Sequence, residues 1–448
     1  MGNITNDLIE RDLRHIWHPY TQMKDCLDLP PIPIKKAVGA KLYDYNGNFY
    51  YDTISSWWCN IHGHNHPVIK KAIVKQLRLL EHVLFAGFTH IPAVELAEML
   101  VEITPDGLNK VFYSDNGSTA VEVALKMSFQ YWKNLGFIKK EKFLSLDFGY
   151  HGDTIGAMSV SGVDLYNKKF EPLFFKGFKT PAPYCYRCPF KKTKEDCAME
   201  CLSALEEILE KHSEEISAII LEPLLLAAGG MIVYPVEYLN GVKILCEKFK
   251  LHLIADEVAT GFGRTGKMFA CDHAAISPDF MCMSKGITSG YLPIGITMTT
   301  EKIYNEFYDE YETKKTFYHG HTYTANPLSC AAAVASIKLF EEENSLEKVN
   351  VIERKMKKFL EDVSSLPFVG NVRNLGAVGA IELVKDKNTK EALLSELRVG
   401  QDIYKKGLAK NILLRPLGDI IYLFLPYCLK EKELDEIFEK TESIICSL

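Results

Sequence analysis

Residues Leu251 to Gly286 read LHLIADEVATGFGRTGKMFACDHAAISPDFMCMSKG. Two short apolar runs frame this stretch, Leu251 to Ala255 and Phe280 to Met283. Both read as buried strands. The first ends at Asp256 and the second at Ser284-Lys285. A third run, Ala218 to Leu221, ends at Glu222. Buried strands separated by helical segments argue for a mainly parallel α/β sheet. Ligands of such sheets bind outside the carboxyl ends of the strands. Glu222, Asp256 and Lys285 are therefore expected at the same kind of place.

Working outward, Val121, Ala124, Leu125 and Ser128 share one face of a helix that follows the turn Ser114-Asp115-Asn116-Gly117. A helix N-terminus offers backbone N–H groups and a positive dipole end to a phosphate. Gly117 would allow close backbone approach and Ser118 would add a hydroxyl, although Ser118 or Thr119 also suits a plain helix cap. Tyr150-His151-Gly152-Asp153 places an aromatic ring beside a glycine turn, either to stack on a flat cofactor or to fill the core. In Gly320-His321-Thr322 the threonine is a second phosphate donor or an ordinary turn residue. Lys285, between an apolar strand and Gly286, is expected to be partly buried, which lowers its pKa and makes the amine nucleophilic. An acid such as Asp256 at a strand end suits a metal ligand, a general base or an ion pair. Paired with Lys285, 29 residues on, it suits pyridoxal phosphate. The lysine would form the Schiff base, and the carboxylate would keep the pyridine nitrogen protonated.

The chain ends read differently. Pro30, Pro31 and Pro33 precede an aromatic stretch, Leu42 to Tyr45, and an Asn46-Gly47 hairpin signal. From about residue 335 the chain turns charged and helical, with further apolar runs near 376–384 and 420–427. The expected division is a large cofactor-binding domain over 61–334 and a smaller α+β domain built from 1–60 and 335–448. Of the 448 residues 47% are hydrophobic and 25% charged, which excludes a mostly disordered chain. The net charge of -6 gives no support to nucleic-acid binding. No stretch is long and apolar enough to span a membrane. The N-terminal residues lack the pattern of a signal peptide. A cytoplasmic location with mostly reduced cysteines is the resulting expectation.

Taken together, these segments resemble the class III aminotransferases, pyridoxal phosphate enzymes of the type I fold. The specific match is Ile254-Ala255-Asp256-Glu257-Val258-Ala259-Thr260-Gly261-Phe262-Gly263-Arg264-Thr265-Gly266, followed by Ser277-Pro278-Asp279 and Ser284-Lys285-Gly286. Ile16 to Met23, Ser55-Ser56-Trp57-Trp58 and Arg415-Pro416-Leu417-Gly418 are similar to the biotin-pathway branch of that family. The resemblance implies ping-pong transfer of an amino group to 7-keto-8-aminopelargonate. S-adenosylmethionine is the favoured donor, because Tyr422 matches a tyrosine of adenosylmethionine-using members. Leu414 to Asp419 also look like lysine-using members, so lysine stays open as a donor. The resemblance further implies that Lys285 is the Schiff-base lysine and proton shuttle. Asp256 would hold the pyridinium nitrogen, Tyr150 would stack on the ring, and Glu222 would lie near the ring hydroxyl. Gly117 and Ser118 would bind phosphate, joined by Thr322 from the partner subunit of a homodimer. Tyr20, Trp57, Trp58, Tyr150, Gly320 and Tyr422 would contact substrate, and Arg415 would clamp its carboxylate. On strand geometry the neighbouring tryptophans would face opposite ways, leaving one of them structural.

Cys185, Cys188, Cys197 and Cys201 have the spacing of a structural zinc site or of a surface insertion with thiols. Other readings remain at this point: a different class III ω-aminotransferase, an aminomutase, and a metal-stapled binding module without enzymatic activity.

Overall fold

The computed structural model describes residues 2–193 and 195–448. A three-stranded antiparallel sheet comes first, β1 (Ile34–Val38), β2 (Lys41–Asp44) and β3 (Phe49–Tyr51). Asn46-Gly47 forms the β2–β3 turn, where Gly47 has φ +93° and Asp44 accepts the N–H groups of Asn46 and Asn48. The central strands follow: β4 (Leu108–Ser114), β5 (Lys142–Leu146), β6 (Phe178–Thr180) and β7 (Ile216–Leu221). A short hairpin, β8 (Leu225–Leu226) and β9 (Ile232–Val233), precedes β10 (His252–Asp256), β11 (Phe280–Met283) and β12 (Gly295–Thr300). The C-terminal sheet is β13 (Val369–Leu375), β14 (Val378–Leu383) and β15 (Ile420–Phe424).

The seven-stranded central sheet has the order β4-β12-β11-β10-β7-β5-β6, and only β12 runs against its neighbours. This is the mainly parallel α/β architecture expected from the apolar runs. Every residue of β7, β10 and β11 is buried, as strands covered on both faces require. The helix Gly117–Asn134 covers one face with Ala120, Val121, Ala124, Leu125 and Ser128. Thr297 of β12 donates to the Ala120 carbonyl at 2.7 Å, fixing that helix against the sheet. Burial of each large aliphatic side chain here stabilises by about 1.5–3 kcal/mol relative to exposure.

Register delivers the site. Ile254 pairs with Phe280 and Asp256 with Cys282, while Ala255 lies beside Leu221. Glu222, Asp256 and Lys285 thus leave three adjacent strands at the same edge. The turn before Gly117 leaves β4 at that edge too.

The two chain ends meet beside it. Tyr51 N–H donates to the Asn411 carbonyl and Leu413 N–H to the Tyr51 carbonyl, both at 2.9 Å. Phe424 N–H donates to Thr53 and Tyr427 N–H to Ile61, at 2.8 and 2.7 Å. The helix Pro327–Glu342 runs without a break across residues 334–335. Its N-terminal part is apolar and buried, and the charged character first visible at 335 belongs to its exposed end. No described helix is long and apolar enough to cross a membrane.

Candidate active site

A cavity of about 840 Å³ opens at the carboxyl edge of the sheet. Lys285, Asp256, Glu222 and His151 line its floor. Lys285 has a left-handed backbone, φ +44°, directly after β11. Burial lowers its pKa, against the opposing pull of Asp256 and Glu222. A lowered lysine pKa enlarges the neutral, nucleophilic fraction. The Lys285 ammonium position lies 4.5 Å from the Trp58 ring centroid.

Asp256 is held from two sides. Its Oδ1 accepts the Val258 N–H at 3.1 Å, and its Oδ2 accepts from His151 Nδ1 at 2.7 Å. The other imidazole nitrogen, His151 Nε2, is buried without a hydrogen-bond partner in the protein. Glu222 accepts the N–H groups of Tyr150 and Ala227 at 3.0 and 3.1 Å. Burial pushes its pKa up to about 7; His151 opposes that shift and Asp256 adds to it.

One end of the cavity is shaped for an anion. Asn116 caps the helix: its side chain accepts the Thr119 N–H at 3.0 Å, and Thr119 Oγ1 accepts the Asn116 N–H at 3.0 Å. The cap is therefore the Asn116–Thr119 pair and not Ser118, whose hydroxyl keeps only a long 3.4 Å contact from the Asp153 N–H. Gly117 and Ser118 occupy the first turn, whose N–H groups have no acceptor within an α-helix. A Cβ at Gly117 would come within 2.7 Å of Val258 Cγ1. At Gly152, φ +127°, a Cβ would overlap the Ser118 hydroxyl. Glycine at these two positions thus lets the backbone pack closely against Val258 and Ser118 on the cavity wall.

Part of the cavity wall is aromatic. Tyr20 donates to Asp153 Oδ1 at 2.6 Å and Tyr150 to Asp153 Oδ2 at 2.9 Å. Tyr20 packs edge-on against Trp57 and Tyr166. Arg415 lies over the Trp57 ring at 4.7 Å and donates to the Tyr20 carbonyl at 3.4 Å. Tyr422 is buried, and its hydroxyl accepts from Trp58 Nε1 at 3.3 Å.

The strand expected around the tryptophans is absent. Ser55, Ser56, Trp57 and Trp58 form a left-handed turn with φ of +50°, +45°, +71° and +76°. Each such residue costs about 1–2 kcal/mol in an L-amino-acid chain. The turn brings both rings to the cavity wall, whereas a strand would send them to opposite faces.

Eleven residues singled out in the sequence, Tyr20, Trp57, Trp58, Gly117, Ser118, Tyr150, Glu222, Asp256, Lys285, Arg415 and Tyr422, line this one cavity. Gly320 and Thr322 do not; they lie on an exposed loop whose His321 pairs with Asp115 at 2.9 Å. Among the described residues no group of three or more His, Cys, Asp or Glu side chains is placed to hold a metal. The zinc alternative for Cys185, Cys188, Cys197 and Cys201 therefore gains no geometric support. His151, Asp153 and Tyr166 escaped the sequence reading. The first two stood beside Tyr150 in a stretch already noted for its ring and its glycine.

The class-III aminotransferase family model matches residues 24–445. The chain is 46% identical over 446 residues to a Geobacter sulfurreducens protein named adenosylmethionine-8-amino-7-oxononanoate aminotransferase, covering 98% of each. A crystal structure of the Methanocaldococcus jannaschii protein of that name superposes with a TM-score of 0.94 at 42% identity, covering 99% of each chain. An omega transaminase from Pseudomonas jessenii, solved in complex with PMP, superposes with a TM-score of 0.93 at 31% identity over 98% of each chain.

Proposed function

The chain belongs to the class III aminotransferases, and from that premise we propose that it transfers an amino group to 8-amino-7-oxononanoate, also called 7-keto-8-aminopelargonate, giving 7,8-diaminopelargonate for biotin synthesis. S-adenosylmethionine is the donor. One observation carries this reading: a single cavity joins a buried lysine to an aromatic wall ending in one arginine. The nine-carbon keto acid has a long apolar chain and one carboxylate, and this wall suits both.

The family's cofactor, pyridoxal phosphate, fits the residues present. The helix N-terminus at Gly117 and Ser118, on the cavity wall, offers donors for its phosphate. The Asp256 carboxylate, fixed by His151 and lining the cavity, would hold the protonated ring nitrogen. When bound, the cofactor supplies a carbonyl carbon that carries the amino group and a ring that takes up the electron pair left by a broken C–H bond.

The chain's own residues do the rest. Lys285 Nζ, whose pKa burial lowers, accepts the proton from the donor carbon and returns it in the second half-reaction. Asp256, fixed in place by donors to both of its oxygens, would favour a positive charge at the ring nitrogen. Arg415 binds the substrate carboxylate with a planar fork. Trp57, Trp58, Tyr20 and Tyr422 exclude water from the reacting carbon.

The active unit is a homodimer in which Thr322 of each chain completes the phosphate site of the other. The exposed apolar side chains of Leu79, Leu84, Phe88, Ile91, Tyr318 and Tyr323, on and near the Thr322 loop, support that arrangement. Residues 1–60 and 335–448 form the small domain, supported by the backbone bonds that join them. The enzyme works in the cytoplasm.

A coupled assay with 8-amino-7-oxononanoate tests the reading, with S-adenosylmethionine and lysine compared as donors. Diamine formation with S-adenosylmethionine is expected, and formation with lysine alone would overturn the donor assignment. Lys285→Ala should keep its thermal transition and lose turnover. Diamine formation by that variant at the wild-type rate would remove Lys285 from the mechanism.

A further inference from the structure

The left-handed turn that carries Trp57 and Trp58 contains no glycine, so something outside it must hold it in place. Asp52 is the group positioned to do so. Its carboxylate is fully buried and accepts three hydrogen bonds. The Ser56 N–H reaches Oδ1 at 2.8 Å, the Ser56 hydroxyl reaches Oδ2 at 2.6 Å, and His64 Nε2 reaches Oδ2 at 2.8 Å. Two of the three come from the turn itself. The third comes from His64, whose own N–H and carbonyl are bonded to Gly39 at 2.8 and 3.0 Å. The turn is thus tied through one carboxylate to the β1–β2 connection. On its other side the Ser55 hydroxyl donates to the Phe424 carbonyl of β15 at 2.6 Å. None of Asp52, Ser56 or His64 lines the cavity.

We propose that Asp52, with Ser56 and His64, is a positioning device that fixes the Ser55–Trp58 turn and so sets the tryptophan wall that the long acceptor chain packs against. The inference rests on the acceptor assignment above. Asp52 touches no reacting atom. Its loss should therefore weaken binding of the chain that both ground and transition states bury, leaving the chemical step intact.

The test uses the holoenzyme with Asp52→Asn, which keeps the size of the side chain but removes an acceptor. The milder Ser56→Ala removes one bond from an exposed residue. Asp52→Asn is expected to raise KM for 8-amino-7-oxononanoate by about tenfold while kcat stays within about threefold. Ser56→Ala should shift KM in the same direction by less. A second readout is independent of activity. In a Trp17→Phe background the exposed Trp17 is gone and Trp132 remains buried, so acrylamide quenching of tryptophan emission reports Trp57 and Trp58. Quenching should increase in Asp52→Asn. Unchanged KM and unchanged quenching in both variants would overturn the proposal, as would a fall in kcat at constant KM. If Asp52→Asn loses its cofactor absorbance, Ser56→Ala alone decides by the same two readouts. Failure of the wild-type enzyme to convert 8-amino-7-oxononanoate would sink the acceptor assignment instead, and the quenching result would still judge the turn.

Discussion

Glu222 is a carboxyl group with no cation bonded to it, buried beside a second carboxylate. Burial raises its pKa from 4.5 to about 7, so the folded state binds its proton more tightly than the unfolded chain does. The resulting stability is fully present below about pH 4.5 and is lost as pH rises through about 7. At 1.36 kcal/mol per pKa unit the loss is about 3 kcal/mol. Glu222→Gln keeps an acceptor for Tyr150 or Ala227 but cannot ionise. In urea unfolding of the cofactor-free protein, the stability of Glu222→Gln relative to wild type should improve by about 3 kcal/mol between pH 4 and pH 8. A gap that does not change with pH would refute the assignment. Glu222, Asp256 and Lys285 were legible in the sequence because each follows an apolar run that could only be a buried strand. His151 was not, since its role depends on a contact with Asp256 across 105 residues. No local pattern encodes that distance.

The helix Gly117–Asn134 has two tasks at one end: it must be capped, and it must leave donors for an anion. The structure divides these between neighbours, with Asn116 and Thr119 forming the reciprocal cap while Ser118 stays available. Asn116→Ala should therefore cost about 1 kcal/mol of stability. Ser118→Ala should leave stability almost unchanged and weaken pyridoxal phosphate binding by about tenfold, the loss of one hydrogen bond to a charged group. Urea melts and cofactor titration of both variants separate the two roles. Equal stability losses would show that the cap is shared. Element by element, the sequence was most readable where burial is complete on both faces, as in β7, β10 and β11. It was least readable at Ser55–Trp58. Nothing there marks positive φ, because the turn is imposed by Asp52 and β15 from outside it.

At the scale of the whole molecule, the placement of Thr322 decides how the site is assembled. Thr322 lies outside the cavity of its own chain, on a loop packed against the exposed segment around His82. Asn326 Nδ2 donates to the Glu81 carbonyl at 3.2 Å, joining the two segments into one apolar face. If that face meets a second copy, each site draws Lys285 from one chain and Thr322 from the other. Two defective variants then complement each other. Lys285→Ala has no lysine, and Thr322→Val has a weakened phosphate site, so each homodimer is impaired at both sites. In a mixed dimer one site carries both defects, while the other combines the intact lysine of one chain with the intact threonine of its partner. Equal mixing makes half of the dimers mixed, and one site in two of those is whole. Activity of co-refolded variants should therefore reach about a quarter of the wild-type value. If Thr322 served its own chain, every site in the mixture would carry one defect, and mixing would restore nothing above the residual Thr322→Val rate. The recovered fraction thus distinguishes a shared site from two self-contained ones without any structural measurement.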